Sequence, residues 1–298
     1  MKELVAIDWG TSSLRAALLD AQGHALEERS FPRGILHVAP GEFPTVLEAA
    51  CGDWLRGGNR LALISGMAGS RQGWAEAAYA ACPAGFADVA AQLRWVQPGR
   101  VAIVPGMSCE VRDVPDVMRG EETQVFGALR LLGLDSGVFV LPGTHSKWVN
   151  VRSQRIEQFS TFMTGEFYAL LREHSILART LPGEDGSLDE PAFVRGVRYA
   201  LESASLLHTA FSARTLSLFD RLAAEALPSL LSGLVIGEEL RAQPLANRQG
   251  PVVLIGSAVL TQRYEIALRL LGVRARCVGS QATWRGLWAI AQTLEAQE

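Results

Sequence analysis

Three short stretches of this 298-residue chain carry side chains of a kind that does chemistry. In "AIDWGTSSLRA" (6–16), Asp8 closes an apolar run and the turn Gly10-Thr11-Ser12-Ser13 follows. Such a turn aims backbone N–H groups and hydroxyls into one concavity, an arrangement that takes oxyanions such as phosphate. One carboxylate at its mouth suits Mg²⁺, an oxygen-seeking cation that keeps several of its waters. "VFVLPGTHSKWV" (138–149) presents the turn again as Gly143-Thr144-His145-Ser146, with Lys147 next. Leu141 stands there in the register of Asp8, so only the first copy supplies a metal end. In "MRGEETQVFGA" (118–128), Glu121 and Glu122 open a helix after Gly120, where a carboxylate could accept an alcohol proton. Each feature alone has a plainer reading. Asp and Ser often satisfy turn backbone, and acidic residues favour helix N-termini.

The elements around these stretches strengthen the chemical reading. Residues 3–30 read as three strands joined by turns too short for a parallel crossover, hence antiparallel. "FPTVLEAACGDWLR" has helical period, "RLALISGMAGS" is a buried strand entering a glycine-rich loop, and "RVAIVPGMS" repeats that design. "PDVMRGEETQVFGALRLLG" reads as a loop feeding a helix that stops at Gly133. From residue 137 the order starts again: apolar strand, turn, strand, turn, strand. Helical segments follow (165–179, about 190–208, about 215–243), then the strand "PVVLIGSAVL", a helix, the strand "VRARCVG" and a last helix from Gln281. One α/β plan is written twice.

Composition excludes several classes. With 48% hydrophobic residues the chain can bury a sizeable core and is long enough for two domains. A formal charge of −3 argues against nucleic acid or an anionic membrane as the main partner. Cys51, Cys82, Cys109 and Cys277 are scattered, which reads as reduced thiols in a cytoplasmic protein. No run spans a bilayer, and no GxxxxGK[ST], no GxGxxG after a strand and no HExxH occurs. A homo-oligomer is left open.

Taken in order, DWGTSSLRA, GMAGSRQGW, VPG, VMRGEETQ, LPGTHSKWV and MTGE resemble the 2-dehydro-3-deoxygalactonokinase family, within the sugar kinase/heat-shock ATPase/actin superfamily. The resemblance covers nearly the whole chain. It implies two ribonuclease-H-like domains, 1–133 for the sugar acid and first phosphate motif and 134–298 for the nucleotide, around a central cleft. The last helix would pack across their junction. It also implies transfer of the ATP γ-phosphoryl to the 6-hydroxyl of 2-dehydro-3-deoxy-D-galactonate, with Mg²⁺ held by Asp8 through water. Gly10, Thr11, Ser12 and Ser13, with Gly143, Thr144, His145 and Lys147, are the expected phosphate ligands. Strand alternation puts His145 and Lys147 on one side. Gly256 and Ser257 of "LIGSAVL" would meet the adenosine. Superfamily kinases carry an Asp as base; here Glu121 is favoured, then Glu122, then Asp116. An acidic sugar calls for arginine. Arg71, with Gly66, Met67 and Ser70, is the leading candidate, beside Arg15, Arg119 and Thr164. Two alternatives stay open: a kinase for another sugar on this scaffold, and a nucleotide-gated binding protein.

Overall fold

The apolar run Leu4–Trp9 forms the central strand β1, buried along its length except at Asp8. β2 (Leu14–Leu19) and β3 (Ala25–Phe31) follow as an antiparallel meander, as the short turns require. The computed structural model describes residues 3–58, 60–203, 205–245 and 250–295. After the helix α1 (Phe43–Arg56) come β4 (Leu61–Ser65), β5 (Ala80–Ala81), α2 (Phe86–Ala90), β6 (Arg94–Gln97), β7 (Val101–Ile103), β8 (Met107–Val111), β9 (Val114–Met118) and α3 (Glu121–Leu132). The second run holds β10 (Gly137–Leu141), β11 (Ser146–Arg152), β12 (Arg155–Phe162), α4 (Thr164–His174), α5 (Glu190–Glu202), α6 (Leu206–Thr209), α7 (Ser212–Leu218) and α8 (Leu227–Arg241). β13 (Val252–Ile255), α9 (Ala258–Leu270), β14 (Ala275–Val278) and α10 (Gln281–Glu295) complete it.

The repeat in sequence is a repeat in sheet order. One sheet runs β3-β2-β1-β4-β7-β6 and the other β12-β11-β10-β13-β14. Both therefore place a three-strand meander beside later strands, three in the first sheet and two in the second. In the first sheet β4 is parallel to both β1 and β7. A third sheet, β5-β8-β9, was not legible, and Val114–Met118, expected as loop, is its edge strand. The expected helix over 215–243 is also two, α7 and α8. Asp220 between them takes a positive φ, and Pro228 opens α8.

The chain forms two compact units, residues 1–139 with 148–160 and 278–298, and residues 140–147 with 161–277. They do not follow a single cut at 133/134. In the first, α1 covers one sheet face, packing Phe43, Leu47, Cys51 and Trp54 against Val5, Ile7, Trp9 and Leu14. Trp9 and Phe43 meet with ring centroids 5.3 Å apart, an aromatic pair worth about 0.5–1.5 kcal/mol beyond its buried area. In the second, α8 is buried on nearly every side, with Leu227, Leu230, Leu231 and Leu234 in the core of the unit.

The last helix belongs to the first unit. α10 packs on α3, burying Ala282, Leu287 and Ile290. The two helices approach as closely as backbones can. A Cβ on Gly127 would stand 1.7 Å from Ala282 O, and one on Gly286 1.8 Å from Thr123 O. Only glycine fits either position. This crossing fixes the start of α3, where the glutamates lie.

Candidate active site

Asp8 sits at the end of β1, directly opposite Arg15 of β2, and the two side chains form an ion pair. Gly10 N donates to Ser13 O at 2.9 Å and closes the turn between the strands. The 34–36 segment straps it from outside, through Ile35 N to Gly10 O (3.0 Å) and Leu36 N to Thr11 O (3.3 Å). Thr11, Ser12 and Ser13 remain exposed. The turn is thus rigid in backbone and open in its hydroxyls, and Arg15 braces Asp8.

Two glycines bring the later loops to the same place. Gly66, after β4, has φ +96°, and a Cβ there would lie 2.9 Å from Trp9 O and 3.4 Å from Asp8 Oδ1. Gly120, with φ +108°, would place a Cβ 3.3 Å from Gly66 Cα. The helix carrying Glu121 and Glu122 therefore begins two backbone contacts from Asp8. Asp116 lies back in β9.

The two glutamates occupy different environments. Glu122 is fully buried and accepts Gly120 N–H on both oxygens, at 3.0 and 2.7 Å. Thr123 Oγ1 donates to it at 3.1 Å and receives the Ser65 hydroxyl at 3.0 Å. Burial first, and the Glu121 charge second, push the Glu122 carboxyl up to about 8. Glu121 is half-buried, and its Oε2 accepts Arg119 N–H at 2.9 Å.

Among the arginines, Arg71 stands largely in solvent (87% exposed side chain), paired with Glu76 at 3.0 Å. Arg119 is held instead. Its Nη2 donates to Ala77 O at 2.8 Å, its guanidinium lies 4.3 Å from the Tyr79 ring centroid, and Gly69 backs it. Nε and Nη1 of Arg119 and Oγ of Ser70 are buried without a partner among the described residues. Met67 packs against the first unit's core.

In the second unit, His145 precedes β11, is half-exposed, and its Nε2 meets Glu166 Oε2 at 2.5 Å. Lys147 is buried within β11 and donates to Thr161 Oγ1 at 2.7 Å. β11 starts at Ser146, so His145 lies outside the alternating strand; it is exposed where Lys147 is buried. Thr164, expected at the sugar acid, is buried at the start of α4 and donates its hydroxyl to Glu239. It belongs to the unit without Arg15, Arg71 and Arg119. Gly256 lies beside Pro142, next to the Gly143 turn, and Ser257 precedes α9.

A cavity of about 220 Å³ opens at the Gly143 turn. Gly143, Thr164, Gly165 and Tyr168 line one side, with Asp185, whose carboxylate is bonded by Tyr168 and Arg172; Ser232, Val235 and Ile236 of α8 and Val259, Leu260, Arg263 and Tyr264 of α9 line the rest. Mixed apolar walls with a few polar groups beside an oxyanion turn suit a nucleoside with its phosphates. The sequence reading missed Glu239 and Tyr264. The signal for Glu239 was an acid pair inside the otherwise apolar "LLSGLVIGEEL" of α8; Tyr264 had none. Among the described residues no cluster of His, Cys, Asp and Glu could cage a metal, and no helix is long and apolar enough to cross a membrane.

The doubled sheet order, with a Gly-Thr-x-Ser turn in each half, is that of the actin-like ATPase and sugar-kinase fold. The activator of 2-hydroxyisocaproyl-CoA dehydratase from Clostridium difficile, solved with bound ADPNP, shares that fold at 10% identity. Its TM-score is 0.53, over 99% of this chain and 97% of that one. The chain matches the family described as 2-keto-3-deoxy-galactonokinase over residues 8–290, and it belongs to that family. It is 36% identical to 2-dehydro-3-deoxygalactonokinase of Escherichia coli (strain K12) across 97% of this chain and 98% of the relative. A crystal structure of a candidate 2-dehydro-3-deoxygalactonokinase from Sinorhizobium meliloti matches with TM-score 0.90 and 36% identity, covering 98% and 99% of the two chains.

Proposed function

We propose that this protein transfers the γ-phosphoryl group of ATP to the 6-hydroxyl of 2-dehydro-3-deoxy-D-galactonate. Membership of the 2-keto-3-deoxy-galactonokinase family along residues 8–290 is the observation that carries the reading. The residue roles below rest on the geometry of each unit.

Residues 1–133 hold the sugar acid and the first phosphate turn, and the second unit holds the nucleotide. Backbone and hydroxyl groups at Gly10–Ser13 and at Gly143 and Thr144 receive phosphate oxygens. Gly256, Ser257 and the 220 Å³ cavity take the adenosine. Mg²⁺ fits the donor set: a part-exposed carboxylate beside the exposed hydroxyls of Thr11, Ser12 and Ser13 suits a hard cation that keeps its waters and meets the phosphates. Asp8 would hold it, with Arg15 fixing the carboxylate, and the ion would neutralise phosphate charge.

Glu121 is the base. It alone of the pair has solvent access, so it alone can reach a substrate hydroxyl. Glu122 sets the Gly120–Glu121 peptide in place from beneath. Arg119 reads the sugar-acid carboxylate in preference to Arg71. A guanidinium fixed by Ala77 and Tyr79 with two unanswered N–H groups is pre-organised for a bidentate anion. Lys147, bound to Thr161, ties β11 to β12 and supports the turn rather than meeting the phosphate.

The product tests the reaction. After incubation with Mg-ATP and the sugar acid, ³¹P NMR should show a phosphomonoester coupled to the C6 protons. A phosphoryl group at another carbon, or ADP and inorganic phosphate alone, would overturn the assignment.

A further inference from the structure

One buried acid in the second unit lies behind the lining of the 220 Å³ cavity rather than in it. Glu239 of α8 is 2% exposed in a helix otherwise lined with leucine, valine and isoleucine. A buried carboxylate is tolerated only when hydrogen-bonded, and this one is. Its Oε2 accepts the hydroxyls of Thr164, the first residue of α4, and of Tyr264 in α9, the latter at 2.6 Å. Tyr264 OH is in turn 2.8 Å from Ser146 Oγ, at the residue that ends the Gly143-Thr144-His145 turn and opens β11. The start of α4 is also pinned to that turn directly, through Glu166 N to Thr144 O at 3.0 Å. Thus one carboxyl receives hydroxyls from two elements that line the 220 Å³ cavity, α4 and α9, and reaches Ser146, three residues after the cavity-lining Gly143, through Tyr264.

Hydrophobic packing would hold α8 and α9 together without any of this. The polar network adds a fixed direction for three hydroxyls and a fixed height for the turn relative to the cavity. Where donors must meet phosphate oxygens without rearrangement, that fixing is what binding rewards. We propose that Glu239, acting through Tyr264 and Ser146 and through Thr164, is a positioning residue that sets the second phosphate turn for nucleotide. It governs affinity for ATP and ADP and leaves the handling of the sugar acid unchanged. The inference rests on the reading of the cavity and turn as the nucleotide site.

Direct binding separates the two levels. ADP affinity of wild type, Glu239→Ala, Glu239→Gln and Tyr264→Phe is measured by calorimetry, alongside KM for ATP and for the sugar acid. Glu239→Ala and Tyr264→Phe should each weaken ADP at least 10-fold and raise KM for ATP correspondingly. KM for the sugar acid should stay within 2-fold. Glu239→Gln, whose amide oxygen can still accept both hydroxyls, should recover most of the affinity, which a purely structural loss would not predict. ADP affinity within 2-fold of wild type in folded Tyr264→Phe would overturn the proposal, and that variant decides the matter if Glu239→Ala does not fold. A wild-type protein that binds neither ADP nor ATP would instead overturn the nucleotide-site reading itself.

Discussion

Gly66 stands against Asp8 with no room for a side chain: a Cβ on Gly66 would come within 3.4 Å of the carboxylate and 2.9 Å of Trp9 O. Its φ of +96° would add strain for any other residue, of about 1–3 kcal/mol. Gly66→Ala should therefore lower the thermal midpoint and, by pressing on Trp9 O, shift the end of β1 that carries Asp8. Thermal melts and steady-state kinetics check it. A variant with wild-type turnover would mean that the position of Asp8 does not matter.

Asp8→Asn keeps the shape of the turn and removes the charge. Its pair with Arg15 is partly solvated, so losing it should cost only about 0–1 kcal/mol of stability. Turnover should fall by roughly 10²-fold or more if Asp8 supports the metal at developing phosphate charge. EDTA should abolish wild-type turnover, and excess Mg²⁺ should restore it. An Asp8→Asn protein with the wild-type Mg²⁺ response would remove Asp8 from the metal site.

Glu121→Gln should lower kcat by about 10²–10⁴-fold with little change in KM, as expected for loss of a general base. Glu122 predicts something different. Its carboxyl rises from 4.5 to about 8 on folding, so the folded chain holds a proton that the unfolded chain releases between those values. The stability tied to that proton is full below pH 4.5 and is lost as pH climbs through about 8. Glu122→Gln mimics the protonated acid and does not titrate. Denaturant melts should show its stability, relative to wild type, improving steadily from pH 4.5 to 8. A constant difference across that range would contradict the buried-acid account.

Arg119→Lys keeps the charge and loses the fork. KM for the sugar acid should rise at least 10-fold, with KM for ATP unchanged. Arg71→Ala should leave both within 2-fold, because that guanidinium already pairs with Glu76 in solvent. The reverse pattern would return the carboxylate to the 66–71 loop.

Much of this was readable from local sequence. Apolar runs, tight turns and the doubled Gly-Thr-x-Ser stretch specify both meanders, because strands joined by a few residues have only one way to pair. Gly66 was among the expected site residues and Gly120 stood beside Glu121, and their positive φ gave the loops a route to Asp8. The misses came from distance. Arg119 and Arg71 look alike in sequence; only the fold shows that Ala77 and Tyr79 grip one and water surrounds the other. Glu239 and Ser146 lie far apart in the chain and are joined by Tyr264, a link no periodicity encodes. The placement of α10 hung on two glycines, 127 and 286, whose backbones meet across a helix crossing.

The most direct test of the central claim is ADP release from Mg-ATP against a small panel. It comprises 2-dehydro-3-deoxygalactonate, 2-dehydro-3-deoxygluconate, galactonate, glucose and N-acetylglucosamine. We predict turnover confined to the dehydro-deoxy acids, with 2-dehydro-3-deoxygalactonate giving the highest kcat/KM. Turnover on glucose or N-acetylglucosamine with none on the acids would contradict the account.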